Sequence, residues 1–166
     1  QHREYLKAFA RPYGHICEYG CGVAPYLNTL CNRITPEVAL HLSISDVEGC
    51  EHFVFAQWRL DRKIKERGLN VELDVCPITP DRLPTYKHKL DLVFCFEVME
   101  HVYDYNNLLS EIFRVLKPGG TLLLSVPFAA KYHFVPFDFF RYTPAALKLI
   151  FERNGFEIDE IRRRGG

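Results

Sequence analysis

The 166-residue sequence carries no net charge, because 21 Lys and Arg balance 21 Asp and Glu. Without a field of one sign it has no strong non-specific pull on nucleic acid or anionic membrane, and neither is expected as a partner. The one basic run, Arg162-Arg163-Arg164, reads as a solvated tail. No apolar stretch is long enough to span a bilayer, and no signal peptide is visible. The six cysteines (Cys17, Cys21, Cys31, Cys50, Cys76 and Cys95) form no C-x-x-C pair and show no zinc-ligand spacing. Three sit in or beside predicted buried strands, where a free thiol behaves as a small hydrophobe. That usage points to a reducing compartment, the cytoplasm. Internal repeats and low-complexity segments are lacking too.

What is present is an ordinary globular composition, 48% hydrophobic and 25% charged. One domain over 1–166 is expected, long enough to bury a core. The chain opens on Gln and stops on Gly165-Gly166, which suggests a piece of a longer chain. Tyr5, Leu6 and Phe9 at helical spacing predict a leading amphipathic helix within residues 1–13, broken at Pro12-Tyr13-Gly14. Strands are predicted at His15–Tyr19, Val38–Ser45, Asn70–Val75, Leu90–Phe96, Thr121–Val126 and Phe156–Ile161. The fourth is almost continuously apolar, as a strand covered on both faces should be. Helices are predicted after the first glycines (Tyr26, Leu27, Leu30, Cys31), from Phe53 to a C-cap at Gly68, over Tyr105–Lys117, and from the Thr143-Pro144 cap to Asn154-Gly155. A proline-rich loop, Pro77–Leu83, follows the third strand. The alternation argues for an α/β fold, a doubly wound parallel sheet with helices on both faces.

The densest signal is His15-Ile16-Cys17-Glu18-Tyr19-Gly20-Cys21-Gly22-Val23-Ala24-Pro25. A strand that feeds a glycine turn and a helix start is the mononucleotide corner of an open α/β sheet. Pro25 interrupts the full G-x-G-x-x-G that a pyrophosphate prefers. Glu18, just ahead of the turn, would repel a phosphate and suit a cation. The corner fits a positively charged nucleoside, for which S-adenosylmethionine is the candidate.

Four motifs in order then resemble the class I S-adenosylmethionine-dependent methyltransferases, of the methyltransferase type 11 kind, over nearly the whole chain. They are Glu18-Tyr19-Gly20-Cys21-Gly22; the acidic end of the second strand at Asp46; Leu90 through Glu97-Val98-Met99-Glu100-His101-Val102; and Leu116-Lys117-Pro118-Gly119-Gly120-Thr121. The resemblance implies a Rossmann-like sheet ending in a hairpin, of which this chain holds only the first strand. The family often has Gly where this chain has Ala24. Ser43-Ile44-Ser45-Asp46 offers two registers for the ribose acid, and Asp46 is preferred over Ser43.

The resemblance assigns the cofactor site to Glu18, Gly20, Cys21, Gly22, Asp46, Asp74, Val75 and Glu97. A carboxylate at Asp46 can accept from both vicinal ribose hydroxyls. Backbone amides around Gly20–Gly22 would meet the methionine portion, with Glu18 toward its ammonium or sulfonium. Asp74 and the Val75 amide would read the adenine edge. For Asp46 a helix cap is the plainer alternative, and for Asp74 a solvated loop aspartate. Glu97, Glu100 and His101 follow the fourth strand, where the reactive end should lie. His101 is either the base or a group that caps the site.

Glu97, Glu100 and His101 also resemble the E-x-x-E-H metal motif of small-RNA 3′-terminal ribose methyltransferases and some quinone O-methyltransferases. The same letters occur in metal-free relatives, so no metal is assigned. The aromatic segment Pro127–Thr143 reads as an acceptor-binding flap, with His133 and Asp138 facing the methyl and Arg141 paired to an internal carboxylate. Its stretch from His133 to Thr143 looks like one in small-molecule and sugar-pathway methyltransferases. The catalytic set is therefore His101, His133 and Asp138. The expected reaction is methyl transfer to an oxygen or nitrogen of a small molecule. The alternatives are a metal-assisted O-methyltransferase of the E-x-x-E-H type acting on a ribose or quinol hydroxyl, a nicotinamide oxidoreductase, opposed by Pro25 and Glu18, and a cofactor-binding module without turnover.

Overall fold

The computed structural model describes residues 14–78, 89–133 and 137–163. The predicted leading helix and most of the loop after the third strand lie outside the described residues. Five strands form one parallel sheet: β1 (His15–Tyr19), β2 (Leu40–Val47), β3 (Val71–Ile78), β4 (Leu90–Phe96) and β5 (Leu116–Ser125). Their order is β3-β2-β1-β4-β5. The order reverses beside β1, so the carboxyl ends of β1 and β4 flank the switch point where such sheets bind ligands.

Alternation along each strand divides the core into two layers. Ile16, Leu42, Ile44, Leu92 and Phe94 pack with Leu27 and Cys31 of α1 (Pro25–Cys31) and with Phe53, Ala56 and Leu60 of α2 (Glu51–Glu66). On the opposite face Cys17, Val93 and Cys95 meet Leu108, Leu109 and Ile112 of α3 (Tyr105–Val115). Leu147, Ile150 and Phe151 of α4 (Pro144–Arg153) close that layer. Asp104 caps α3 by accepting from the Asn107 amide, and the Thr143 hydroxyl caps α4 by accepting from the Ala146 amide. Both caps satisfy amides that have no partner inside the helix.

Several elements differ from the sequence expectation. β2 runs two residues later, from Leu40 to Val47, because its ladder to β3 continues through Asp46 against Pro77 and Val47 against Ile78. β3 therefore includes Pro77, which an edge strand tolerates because the missing N–H is not needed by a neighbour. α3 ends at Val115 rather than Lys117: Leu116 already pairs with Leu90, and the ladder resumes at Thr121 with Leu92 after the Pro118-Gly119-Gly120 irregularity. The predicted last strand is not formed, and residues 156–161 join no ladder. Phe156 instead packs its ring on Phe113 of α3 and Phe151 of α4, which holds the segment to the helical layer.

Candidate active site

The turn after β1 is shaped by backbone that only glycine adopts without strain. Gly20 has φ +62°, and a Cβ there would lie 2.4 Å from Val98 Cγ2. The close approach locks the segment after β4 against the turn. Gly22 has φ +50° but faces open space, with nothing within 4 Å of where a Cβ would sit. Ala24 also takes a left-handed conformation, φ +47°, and is fully buried. The Arg59 guanidinium of α2 donates to its carbonyl.

Glu18 does not point into the turn. It is buried, and its carboxylate accepts from the Leu27 amide at 2.8 Å and the Tyr26 amide at 3.4 Å. Burial pushes its carboxyl up to about 8. Its observed work is to fasten α1 to β1, not to face a ligand ammonium. Cys21 is buried as well, and its amide donates to the Ser45 carbonyl at 3.0 Å, which ties the turn to β2.

Asp46 lies at the carboxyl end of β2, and its carboxylate accepts from the Gly22 amide at 2.6 Å and from the Val47 amide at 2.7 Å. Ser43, the other register, is fully buried within the strand and hydrogen-bonded to His15 at 2.6 Å. The acid beside the turn is thus Asp46.

Asp74 is not brought to the corner. It is level with Ser43 on β2, two residues before Cys76, which stands level with Ser45. Its carboxylate lies 2.7 Å from His41 Nε2, and the His41 ring stacks on His15 at 3.9 Å. Burial, then the neighbouring His41, pushes His15 down to about 4, so it stays neutral. Val75 points to the opposite face, against the layer of α1 and α2. The two residues diverge because neighbouring strand positions face opposite sides of a sheet.

β4 ends at a second strained point. Glu97 has φ +56°, its amide donates to the Ser125 carbonyl, and its carboxylate accepts from the Ser125 hydroxyl at 2.7 Å. A single 3-10 turn, Met99–His101, then buries Glu100 completely. The flap folds over this turn: the Phe139 and Phe140 amides donate to the Glu100 carbonyl. His101 Nδ1 lies 2.5 Å from the Phe137 carbonyl oxygen, and His101 Nε2 lies 3.2 Å from His133 Nε2. The two histidines named from sequence are therefore neighbours.

Asp138 does not face this opening. Its side chain is almost wholly covered; it is held by both terminal guanidinium nitrogens of Arg141 and accepts from the His133 amide at 2.9 Å. The guanidinium keeps its carboxyl well below the usual carboxylate range. Arg141 has the internal carboxylate expected for it, and Asp138 positions His133 rather than meeting substrate.

The residue that sequence reasoning left out of the set is Glu100. Neither carboxylate oxygen has a hydrogen-bond partner among the described residues, and burial pushes its carboxyl above the ordinary range. Its neighbours are His101 Nε2 at 3.7 Å and His133 Nε2 at 3.9 Å. The E-x-x-E-H letters marked it, but nothing local shows that the carboxylate turns inward toward residue 133. Among the described residues two groups have ligand spacing for a cation, His15–His41–Asp74 and Glu100–His101–His133. In the first, ring nitrogens already meet Ser43 and Asp74; in the second the carboxylate has no such tie.

The corner fits S-adenosylmethionine on two counts: an open flank at Gly22, and an acid beside it with lone pairs remaining. The methyltransferase domain family matches residues 2–161, and the chain belongs to it. The family and the sheet order together make it a class I methyltransferase domain. A probable S-adenosylmethionine-dependent methyltransferase of Mycolicibacterium smegmatis is 34% identical over 84 residues, 47% of this chain and 33% of that protein. The chain thus spans about a third of the length of this curated relative. Among solved structures, a SAM-dependent methyltransferase from Aquifex aeolicus superposes with a TM-score of 0.72 at 20% identity, over 95% of this chain and 80% of that one. The [4+2]-cyclase SpnF superposes with a TM-score of 0.68 at 21% identity, over 89% of this chain and 52% of that one. At such identities the likeness speaks for the fold, and the cyclase shows that this fold is not confined to one reaction.

Proposed function

We propose that the protein transfers a methyl group from S-adenosylmethionine to an oxygen or nitrogen of a small-molecule acceptor. The observation that carries this reading is the contact of Val98 with Gly20. It sets the turn bearing His101 directly against the glycine corner, so a nucleoside in the corner and an acceptor under the flap would be neighbours.

The cofactor supplies a methyl already activated by a positive sulfur, so the chain's own part is alignment and proton handling. Asp46 holds the ribose hydroxyls, and the Gly20–Gly22 backbone bounds the methionine portion. His101 stands ready to accept the acceptor's proton. His133, held by the Asp138–Arg141 pair, lies on the acceptor side. The exposed rings of Tyr103, Phe137 and Phe139 pack on one another beside it and offer a face for the rest of the acceptor. The likeness of the flap to sugar-pathway methyltransferases makes a sugar derivative the first acceptor to try.

No helix among the described residues is long and apolar enough to cross a membrane. We place the protein in the cytoplasm on its free cysteines, five of them buried. The test is turnover of methyl-labelled cofactor against a panel of sugar, hydroxyl and amine acceptors. S-adenosylhomocysteine release that depends on one acceptor class and is lost in His101→Ala is expected. Tight cofactor binding with no turnover on any acceptor would leave a binding module instead.

A further inference from the structure

α2 carries more apolar surface than the sheet uses. Phe53, Ala56 and Leu60 turn to the core, which satisfies the one buried stripe that a surface helix needs. A flank beside that stripe is taken as well. Arg59 and Arg67 donate to the Ala24 and Cys31 carbonyls, and Lys63 donates to Asn32 Oδ1 at 2.6 Å, all toward α1. Yet the opposite face still bears Val54, Phe55 and Trp58, which are 64%, 46% and 53% exposed. The Phe55 and Trp58 rings lie 5.6 Å apart, and the Arg62 guanidinium stands over the Trp58 ring at 5.5 Å. Scattered apolar side chains on a surface are ordinary, whereas a joined patch holding Trp and Arg has the make-up of an interface centre.

The charges around the patch indicate its occupant. Glu51 lies seven residues before Trp58 and Lys65 seven after, each two turns away on the same exposed side. A second copy of α2 laid antiparallel, with the two-fold axis at Trp58, therefore sets each Glu51 opposite Lys65 of the other copy. Val54 then meets the aliphatic stem of Arg62 of the other copy, since both stand four residues from the axis. Parallel packing would instead put Glu51 against Glu51 and Lys65 against Lys65. We propose that the Val54–Phe55–Trp58 face of α2 is the interface of a two-fold symmetric dimer of this chain, with its two α2 helices antiparallel. An isologous contact of this kind closes on itself. One helix from each copy buries little area, so the dimer should form in roughly the micromolar range. Phe140 and Tyr142 of the flap pack with the layer of α3 and α4, on the other face of the sheet from α2. Dimerisation thus leaves the turn bearing His101 open in both copies, and the proposal is independent of the methyl-transfer reading.

The experiment is sedimentation equilibrium over a dilution series of roughly 1–500 µM, at low and high salt. The emission of Trp58, the one tryptophan of the chain, is read on the same samples. A monomer–dimer equilibrium is expected, with emission moving to the red as the dimer dissociates. Trp58→Ala removes the centre of the contact and should weaken the dimer by about 30-fold or more. S-adenosylhomocysteine affinity and circular dichroism should stay as in the wild type. Glu51→Lys and Lys65→Glu each place like charges opposite one another and should weaken the dimer by roughly 3- to 30-fold at low salt, and less at high salt. Both substitutions in one chain should restore it, as should mixing the two single variants. A monomer throughout the series, a dimer indifferent to Trp58→Ala, or no rescue by the double exchange overturns the proposal. A monomer whose Trp58 emission moves to the blue on phosphatidylglycerol vesicles overturns it too, and makes the patch a membrane-facing one.

Discussion

Gly20 and Gly22 sit two residues apart in one turn, yet alanine should fail at each for a different reason. Both have positive φ, +62° and +50°, so a Cβ at either costs about 1–2 kcal/mol of backbone strain. At Gly22 that is the whole cost to the free protein, because the new methyl faces open space. At Gly20 the methyl would sit 2.4 Å from Val98 Cγ2, and overpacking of this kind adds roughly 1–3 kcal/mol. Gly20→Ala should therefore lose about 2–5 kcal/mol. For a domain of this size, 1 kcal/mol shifts Tm by roughly 2–4 °C. Gly22→Ala should lower Tm by about 2–8 °C and Gly20→Ala by about 4–20 °C. Affinity should follow the opposite order. A methyl at Gly22 occupies the flank assigned to the cofactor, and a misfit of about 1–3 kcal/mol weakens S-adenosylhomocysteine by roughly 5- to 150-fold. Calorimetric titration well below the variants' Tm, together with thermal unfolding, separates the two effects. Equal losses of Tm, or Gly22→Ala binding S-adenosylhomocysteine like the wild type, would refute the reasoning.

Asp46→Ala should weaken S-adenosylhomocysteine by about 1.5–3 kcal/mol, whereas Ser43→Ala, inside the strand, should leave affinity unchanged and cost about 1 kcal/mol of stability. Calorimetry on both variants checks which register binds. Glu18 is raised from 4.5 to about 8 by burial, so between those values the folded state holds a proton that the unfolded chain has released. Its contribution is full below pH 4.5 and is lost as pH rises through 8. Denaturant midpoints across this window should fall with pH in the wild type and fall less in Glu18→Gln. Arg141→Lys keeps the charge but not the two-nitrogen grip on Asp138, so turnover should drop while S-adenosylhomocysteine affinity holds. Steady-state kinetics beside calorimetry would expose a purely structural role as a loss in both.

Features set by local chemistry were legible in the chain: β1 and β4 at their bounds, the Thr143 cap of α4, and the turn at Gly20 and Gly22. Apolar runs, a capping hydroxyl and residues without Cβ act over a few positions, so their consequences can be read in order. The ends of β2 and β3 could not be read this way, because a strand stops where its neighbour's ladder stops. The segment 156–161 alternates like a strand, but the rings of Phe113 and Phe151 hold Phe156 to the helices instead. The site divides along the same line. Asp46 was recognisable from its place at a strand end, while Glu18 and Asp74 kept the right residue type and turned to α1 and His41. Only the folded chain brings Glu100 and His101 to His133, because the return of the flap over the turn after β4 decides which polar atoms face one another. The sequence alone thus determined the class of fold and its cofactor corner. Tertiary structure decided which acids and imidazoles meet one another.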